Sequence, residues 1–291
     1  MADGNVTITT AANFIPEMWR DAILDYAERK FQMRNQVLDF SSMVSQGGDI
    51  LNIPKVAEET AAAKSAGTEV TYSANTDGVR QLAIDQHHYE AKRIEDIVRV
   101  QESADLFNAY AKSMGYALAK KVENYLAGVM QGATGNNTDI ASDNILLPAE
   151  LRGGLEKFLD AGHDYTDGET YFYASPKVYM GLMGQGDFTE SQKRGDAVNP
   201  IVSGNVMEIY GMPVYASTDW SESEADGTIV ATAFKKESIY FGQQIAPRVQ
   251  SAYDIDHLAT SVVADVMFGA VLSHANGSGS DKCGIVNFVN Q

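Results

Sequence analysis

The sequence predicts an α+β chain, and three observations carry that class. A strand-like excursion over residues 44–84 ends in a small, polar tip; one helical period is sustained over residues 103–131; and the stretch that follows alternates strand-like with helix-like pieces. At 291 residues, with 44% hydrophobic and 21% charged residues, the chain has globular composition and the length to bury a large core.

Taken in order, residues 1–13 carry no helical period and read as an extended arm. Pro16 sits in a first helical turn, Glu17 and Asp21 complement its positive end, and Trp19, Ile23, Tyr26 and Phe31 recur near helical spacing, which predicts a helix over 16–33. Phe14 and Trp19 are expected to dock that helix on the body or on a neighbour. Gly47-Gly48 then opens the apolar stretch Ile50 to Val56, and a returning stretch alternates through Val70, Tyr72, Val79, Leu82 and Ile84. The tip between them, Glu58 to Gly67, is small and polar. An isolated two-stranded ribbon is marginal in water, so the excursion is expected to rest on an adjacent subunit. From Ser103, an N-cap residue, apolar positions run through Leu106, Tyr110, Met114, Leu118, Val122 and Leu126 until Gly132 ends the pattern, a rod of about 40 Å. Residues 134–236 read as a compact α/β unit, with helices opening at Leu147-Pro148 and Ser175-Pro176 and strands at Thr170–Ala174 and Val206–Ala216. Strands are expected again at Ser238–Phe241, Pro247–Tyr253, Thr260–Leu272 and Gly284–Val289.

Charge and motifs exclude several function classes. The formal net charge is −17, and residues 126–230 carry five basic against sixteen acidic groups, which opposes any binding mode driven by phosphate contacts. The single cysteine, Cys283, excludes an internal disulfide and points to assembly inside a cell; it reads as a small buried thiol. No apolar run reaches the ~20 residues of a membrane-spanning helix. Phosphate-loop, nucleophile-elbow, zinc-helix and paired-cysteine signatures are absent, so no cofactor and no metal is assigned. The densest cluster of potential ligands is Asp85-Gln86-His87-His88-Tyr89-Glu90, but a strand would turn Asp85, His87 and Tyr89 to one face and His88 and Glu90 to the other. A hinge or interface role suits it better than metal or acid–base chemistry. Basic residues from Arg80 through Lys92 and Arg93 alternate with acids, a pattern for ion pairs across a contact.

The order of these parts resembles the major capsid proteins of tailed bacteriophages over nearly the whole chain. Gly48-Asp49-Ile50-Leu51-Asn52-Ile53-Pro54 is similar to the outgoing strand of the family's extended loop, and Ile94-Glu95-Asp96-Ile97 to the approach to its spine helix. Tyr173-Ala174-Ser175-Pro176 and Tyr210-Gly211-Met212-Pro213-Val214 resemble axial-domain elements, and Asp265-Val266-Met267-Phe268-Gly269-Ala270 the late peripheral strand. The resemblance implies an N-terminal arm at 1–43, an extended β-hairpin loop at 44–84, a peripheral domain at 85–133 with 237–273 (spine helix 103–131), and an axial domain at 134–236 with 274–291.

It further implies a structural, non-enzymatic shell protein of the virion, assembled in the host cytoplasm, that closes into hexamers and pentamers of an icosahedral head around double-stranded DNA. Its partners would be itself, a separate scaffolding protein, a portal and a decoration protein. No helical scaffolding segment is expected ahead of the arm, which implies a separate scaffolding protein or none. Interface positions under this reading are Phe14, Trp19, Ile53, Val56, Glu58, Glu59, Lys64, Tyr72, Arg80, Leu82, Lys92 and Arg93. Lys64 lacks the surroundings of the family's cross-linking branch, so non-covalent contacts are expected. A cellular nanocompartment shell with the same fold, or a soluble enzyme using Asp85–Glu90, are the alternatives.

Overall fold

Two sheets share one long helix in the computed structural model, which describes residues 32–45, 47–55, 59, 61–72, 74, 78–95, 105–141, 143–185, 208–274 and 283–291. The predicted helix at 16–33 therefore lies outside the described residues but for its last two positions, which belong to a turn and to the 3-10 segment Met33–Gln36. Strand β1 (Leu38–Asp39) and a one-turn helix α1 (Ser41–Val44) follow, then a two-stranded ribbon of β2 (Ile50–Lys55) and β3 (Gly78–Ala83).

The first sheet joins β1, β10 (Ile239–Asp254), β11 (Ala259–Leu272) and β4 (Gln86–Glu95) in that order. The sequence splits β10 at Gly242–Ala246; the structure makes it one strand of 16 residues. Its register against β11 shifts between Gln243 and Ile245 and again between Ile245 and Arg248. Pro247, which has no N–H for the ladder, falls in the second shift, so a bulge absorbs what looks like a break.

The spine helix α2 (Asp105–Gln131) supplies the core of both sheets. Met114, Leu118, Val122, Leu126 and Met130 are buried at three-to-four spacing. They share one cluster with Phe241, Val262, Val266 and Phe268 of the first sheet and with Tyr173, Phe234 and Ile285 of the second. Tyr110 and Ala117, which also fit the period, are exposed. No helix among the described residues is long and apolar enough to cross a membrane.

The second sheet orders β5 (Asn137–Ile140), β12 (Ile285–Asn290), β9 (Ile229–Lys235), β6 (Thr170–Ala174), β8 (Met212–Ala216) and β7 (Glu208–Ile209). Two helices flank it. Helix α3 (Pro148–Asp160) begins at a proline and presses Gly154 onto the Phe288 ring, where an added Cβ would come within 2.6 Å. Helix α4 (Pro176–Met183) is capped by the Ser175 hydroxyl, which accepts from the Val178 N–H. The turn between β7 and β8 puts Tyr210 and Gly211 at φ of 50° and 85°, the left-handed pair of a tight hairpin.

A buried polar chain fastens this sheet to the spine. The Trp220 indole N–H donates to Thr232 Oγ1 at 2.8 Å, the Thr232 hydroxyl donates to Asn287 Oδ1 at 2.7 Å, and Asn287 Nδ2 donates to the Ala133 and Met130 carbonyls at 2.8 and 3.2 Å. Those carbonyls lie at the C-terminal end of α2, where donors within the helix run out; that of Met130 also accepts from the Ala133 N–H at 3.1 Å. Removing the amide takes the acceptor from the buried Thr232 hydroxyl hydrogen and the side-chain donor from the Ala133 carbonyl. Asn287→Ala should lower the unfolding free energy by about 2–4 kcal/mol in urea titration; a loss below about 1 kcal/mol would show that the link is ornamental.

Candidate subunit interface

The excursion divides into a root that the chain holds and a tip that it presents. At the root, Gly47 and Gly48 take φ of 106° and 110°, a reversal that side chains resist, and β2 pairs with β3 from Ile50↔Ala83 to Lys55↔Gly78. The pleat turns Leu51, Ile53 and Leu82 inward with Val44 and Ile84, against Tyr240, Met267 and Val271 of the first sheet. Two glycines make room. Gly242 and Gly269 are direct partners across β10 and β11. A Cβ on Gly269 would lie 2.0 Å from the Ala83 carbonyl oxygen, and one on Gly242 would lie 3.1 Å from the side chains of Leu82 and Val44. The ribbon thus crosses the sheet on bare backbone. Arg80 Nε donates to the Leu272 carbonyl at 2.6 Å, Gln244 Nε2 to the Gly48 carbonyl at 3.0 Å, and the Ile84 N–H to the Asp49 carbonyl at 2.9 Å.

Among the described residues the ladder's last pair is Lys55↔Gly78. Residues 59, 61–72 and 74 are exposed, with a local turn in which the Thr68 N–H donates to the Ser65 carbonyl at 3.3 Å. The expected strand through Val70 and Tyr72 is absent: Ala61 to Gly67 offers small side chains with no sheet beneath them, and ladder bonds alone do not offset the ordering of the chain. Apolar surface nevertheless stays outside. Val70, Val79 and Tyr72 are 58%, 62% and 94% exposed.

The positions read from sequence fall on both sides of this division. Leu82 is fully buried in its own chain, so its expected place beneath a neighbour is corrected; the glycine pair gives it a seat at home. Ile53 is half-buried on the same inner face and Arg80 ties the root to β11. Glu59, Lys64 and Tyr72 are on the exposed tip. Lys92 pairs with Glu90 at 2.9 Å and Arg93 with Asp254 at 3.3 Å, both within the chain. Phe14, Trp19, Val56 and Glu58 lie outside the described residues.

The two-face reading of the Asp85–Glu90 cluster holds from Gln86 on. His88 stacks inward at 5.7 Å from Phe268, while His87 Nε2 faces out, 3.0 Å from Asp265 Oδ2. Burial, with Lys121 and His87 nearby, lowers the His88 pKa. Among the described residues no three His, Cys, Asp or Glu side chains gather as a metal cluster. Asp265 instead receives a two-pronged contact from Arg248, Nε to Oδ1 at 2.8 Å and the terminal nitrogen to Oδ2 at 3.0 Å. Burial would raise the Asp265 carboxyl, but the Arg248 and His87 bonds outweigh it and hold it below the ordinary carboxylate range. Sequence reasoning missed this three-strand bridge and the glycine pair. An isolated glycine inside a strand pattern, as in Met267-Phe268-Gly269-Ala270, is the signal that marks close backbone approach.

A family model described as phage capsid protein matches residues 89–278, the part that holds the spine helix, most of both sheets and the Arg248–Asp265 pair. The chain belongs to the phage capsid protein family. Among solved structures, that of Mycobacterium phage Che8 is 20% identical with a TM-score of 0.70, covering 88% of this chain and 89% of that one. The capsid of cyanophage P-SCSP1u is 15% identical with a TM-score of 0.68 over 88% and 86%, and the capsid of a native GTA particle is 9% identical with a TM-score of 0.68 over 90% and 90%. At such identities the likeness is one of fold, and the fold is that of phage major capsid proteins. No curated protein matches the chain.

Two outcomes follow for this capsid protein. Gly269→Ala forces the Ala83 backbone off the sheet, so protease cleavage within residues 44–84 should quicken severalfold while far-ultraviolet circular dichroism stays unchanged; equal cleavage rates would refute the glycine seat. Because the folded Asp265 carboxyl titrates below its unfolded value near 3.9, its stabilisation is complete above that pH and lost as pH falls through the folded value. Asp265→Asn should therefore flatten the acid limb of stability against pH, and an unchanged acid slope would contradict the bridge.

Proposed function

We propose that this capsid protein self-assembles into the hexamers and pentamers of an icosahedral head that encloses double-stranded DNA. The observation that carries the reading is the division of the excursion: a root sealed to its own sheet and a tip whose Val70 and Tyr72 are 58% and 94% exposed. A neighbouring copy covering the tip removes apolar area from water at roughly 25 cal/mol per Å². Val56, Glu58, Glu59, Lys64 and Tyr72 form that contact from the excursion, with Phe14 and Trp19 from the arm, and Ile53 adds the part of its side chain that its own sheet leaves open. Lys92 and Arg93, each already paired once, add rim charges worth little singly. Repetition around a ring multiplies such weak contacts. The role is structural and its place is the virion, with assembly in the host cytoplasm. The net charge of −17 fits a wall that contains DNA without gripping it. A scaffolding protein, a portal and a decoration protein complete the partner set.

Negative-stain electron microscopy of the purified chain and of Val70→Ser/Tyr72→Ser tests this. The parent should form closed shells. The double variant should keep the parent's circular dichroism and thermal midpoint yet yield at least about tenfold fewer shells, since one lost apolar contact of about 1.4 kcal/mol is already tenfold. A parent that remains monomeric, or a variant that assembles as well as the parent, overturns the proposal. Particles holding a cargo enzyme and no DNA would support the nanocompartment instead.

A further inference from the structure

Excursion and first sheet meet at residues 84–87. Ile84 still belongs to the buried cluster of the root, Asp85 is exposed, and β4 starts at Gln86, whose ladder partner Phe268 directly precedes the glycine seat at Gly269. β4 is the last strand of its sheet, so among the described residues β11 is its only ladder partner. Whatever pins the first residues of β4 to β11 therefore also sets how firmly the returning strand of the excursion is held.

His87 is placed to do this. Its Nε2 reaches across to Asp265 Oδ2 on β11 at 3.0 Å. The contact runs diagonally, since the ladder sets His87 level with Met267 and Tyr89 level with Asp265. The His87 side chain is 53% exposed and that of Asp265 9%, so one end of the bond is anchored in the sheet while the other exchanges protons with water. Asp265 is already charged: burial works to raise its carboxyl, and the bonds from Arg248 and His87 still hold it below the ordinary range. The Arg248 guanidinium keeps its proton throughout. Between about pH 5 and 8 the imidazole is thus the one member of the trio that changes charge. With its proton on Nε2, a neutral ring gives Asp265 an ordinary hydrogen bond; a protonated ring gives a charge-assisted one, roughly twice as strong.

The surroundings leave the signal with this residue. The charged groups about the ring are Asp265, Arg248 on β10, and Asp85, whose carboxylate accepts from Gln86 Nε2 at 2.9 Å. Two carboxylates against one guanidinium leave the corner a positive charge short, which a proton on His87 supplies. Tyr89 and Met267, the other neighbours on this face, carry no charge in that window. His88 points the opposite way, toward Phe268 and α2, and burial, with Lys121 and His87 nearby, lowers its pKa. It therefore stays neutral over more of the window than an ordinary histidine does.

We propose that His87 is a proton-operated latch at the hinge of the excursion. With a proton it bonds Asp265 as an imidazolium and fastens the start of β4 to β11; without one, the hinge loosens. The latch is internal to one chain and stands whether or not the tip meets a neighbour.

Hydrogen exchange of the full-length chain, read by mass spectrometry near pH 8 and near pH 5.5 and corrected for the intrinsic rate at each, tests this. The unassembled fraction is isolated by sedimentation at both values, so that shell contacts do not enter. Peptides covering residues 84–91 should be at least about threefold better protected in the acid sample, and those from residues 114–130 of α2 should change by less. His87→Gln keeps a neutral N–H for Asp265 and should abolish the difference. His87→Lys carries its charge at both values and should hold protection near the parent's acid level throughout. Equal protection of 84–91 in the two parent samples, a difference that survives His87→Gln, or a gain shared equally by α2 each overturns the latch.

Discussion

Contact of the ribbon root with the bare backbone of Gly242 and Gly269 is the constraint on which the arrangement depends. A two-stranded ribbon of six pairs is marginal alone. Here its inner face joins a core that already exists, because two glycines at one register position let Leu82 and the Ala83 carbonyl come down onto the sheet. Side-chain packing tolerates small slides; backbone seated on backbone does not, since no rotamer can yield. The direction in which the excursion leaves the body is thereby set by covalent geometry, and the hydrogen bonds of Arg80 and Gln244 lock the two flanks of that exit.

A fixed exit is useful only if the body behind it is one piece. The spine helix provides this, since its buried row belongs to a single cluster with both sheets. Polar and aromatic links then remove the freedom that apolar packing leaves. Asn287 holds the end of α2 to β12, and Tyr173 lies stacked between Tyr215 at 5.0 Å and Trp220 at 5.3 Å while its hydroxyl donates to Gln36 Oε1 at 2.5 Å. That last bond joins the 3-10 segment Met33–Gln36 to the second sheet, and burial holds the phenol protonated far above its ordinary range. Buried networks of this kind specify one arrangement among several of similar apolar content.

The spine is legible in the sequence because a period of three to four sustained over so many residues fits a helix and hardly anything else. Ser175-Pro176 is legible because capping is local chemistry. What sequence does not show is whatever depends on partners distant in the chain. β9, with Val230 to Phe234 all buried, carries no alternation because both its faces are covered. Leu82 looks like a contact residue, since nothing near it announces the glycines 160 and 187 positions later that bury it. Arg93 does form an ion pair, as the alternating charges around it suggest, but its partner Asp254 belongs to a strand far along the chain. The exposed tip is visible as composition; that it lacks a ladder follows from there being no sheet beneath it.

Self-association of a chain with net charge −17 is a contest of ranges. Like charges on separate copies repel over the Debye length, about 8 Å at physiological ionic strength, whereas apolar burial and paired ions act only at contact. Some of the acid is also held at home. Asp164 accepts from the Thr166 N–H at 2.8 Å, Asp167 accepts from the Glu169 N–H at 2.9 Å and pairs with Lys235 at 2.8 Å, and Asp265 is neutralised by Arg248. Those cations are already inside the sum that gives −17, so the pairs fix charges locally and leave the net repulsion to be limited by salt. With repulsion screened beyond about 8 Å, orientation falls to the groups that touch first, and on the proposed reading those are on the segment whose root is fixed and whose Val70 and Tyr72 are exposed. The same short range makes each contact weak, which suits a closed shell: a misplaced copy can leave before its neighbours lock it in.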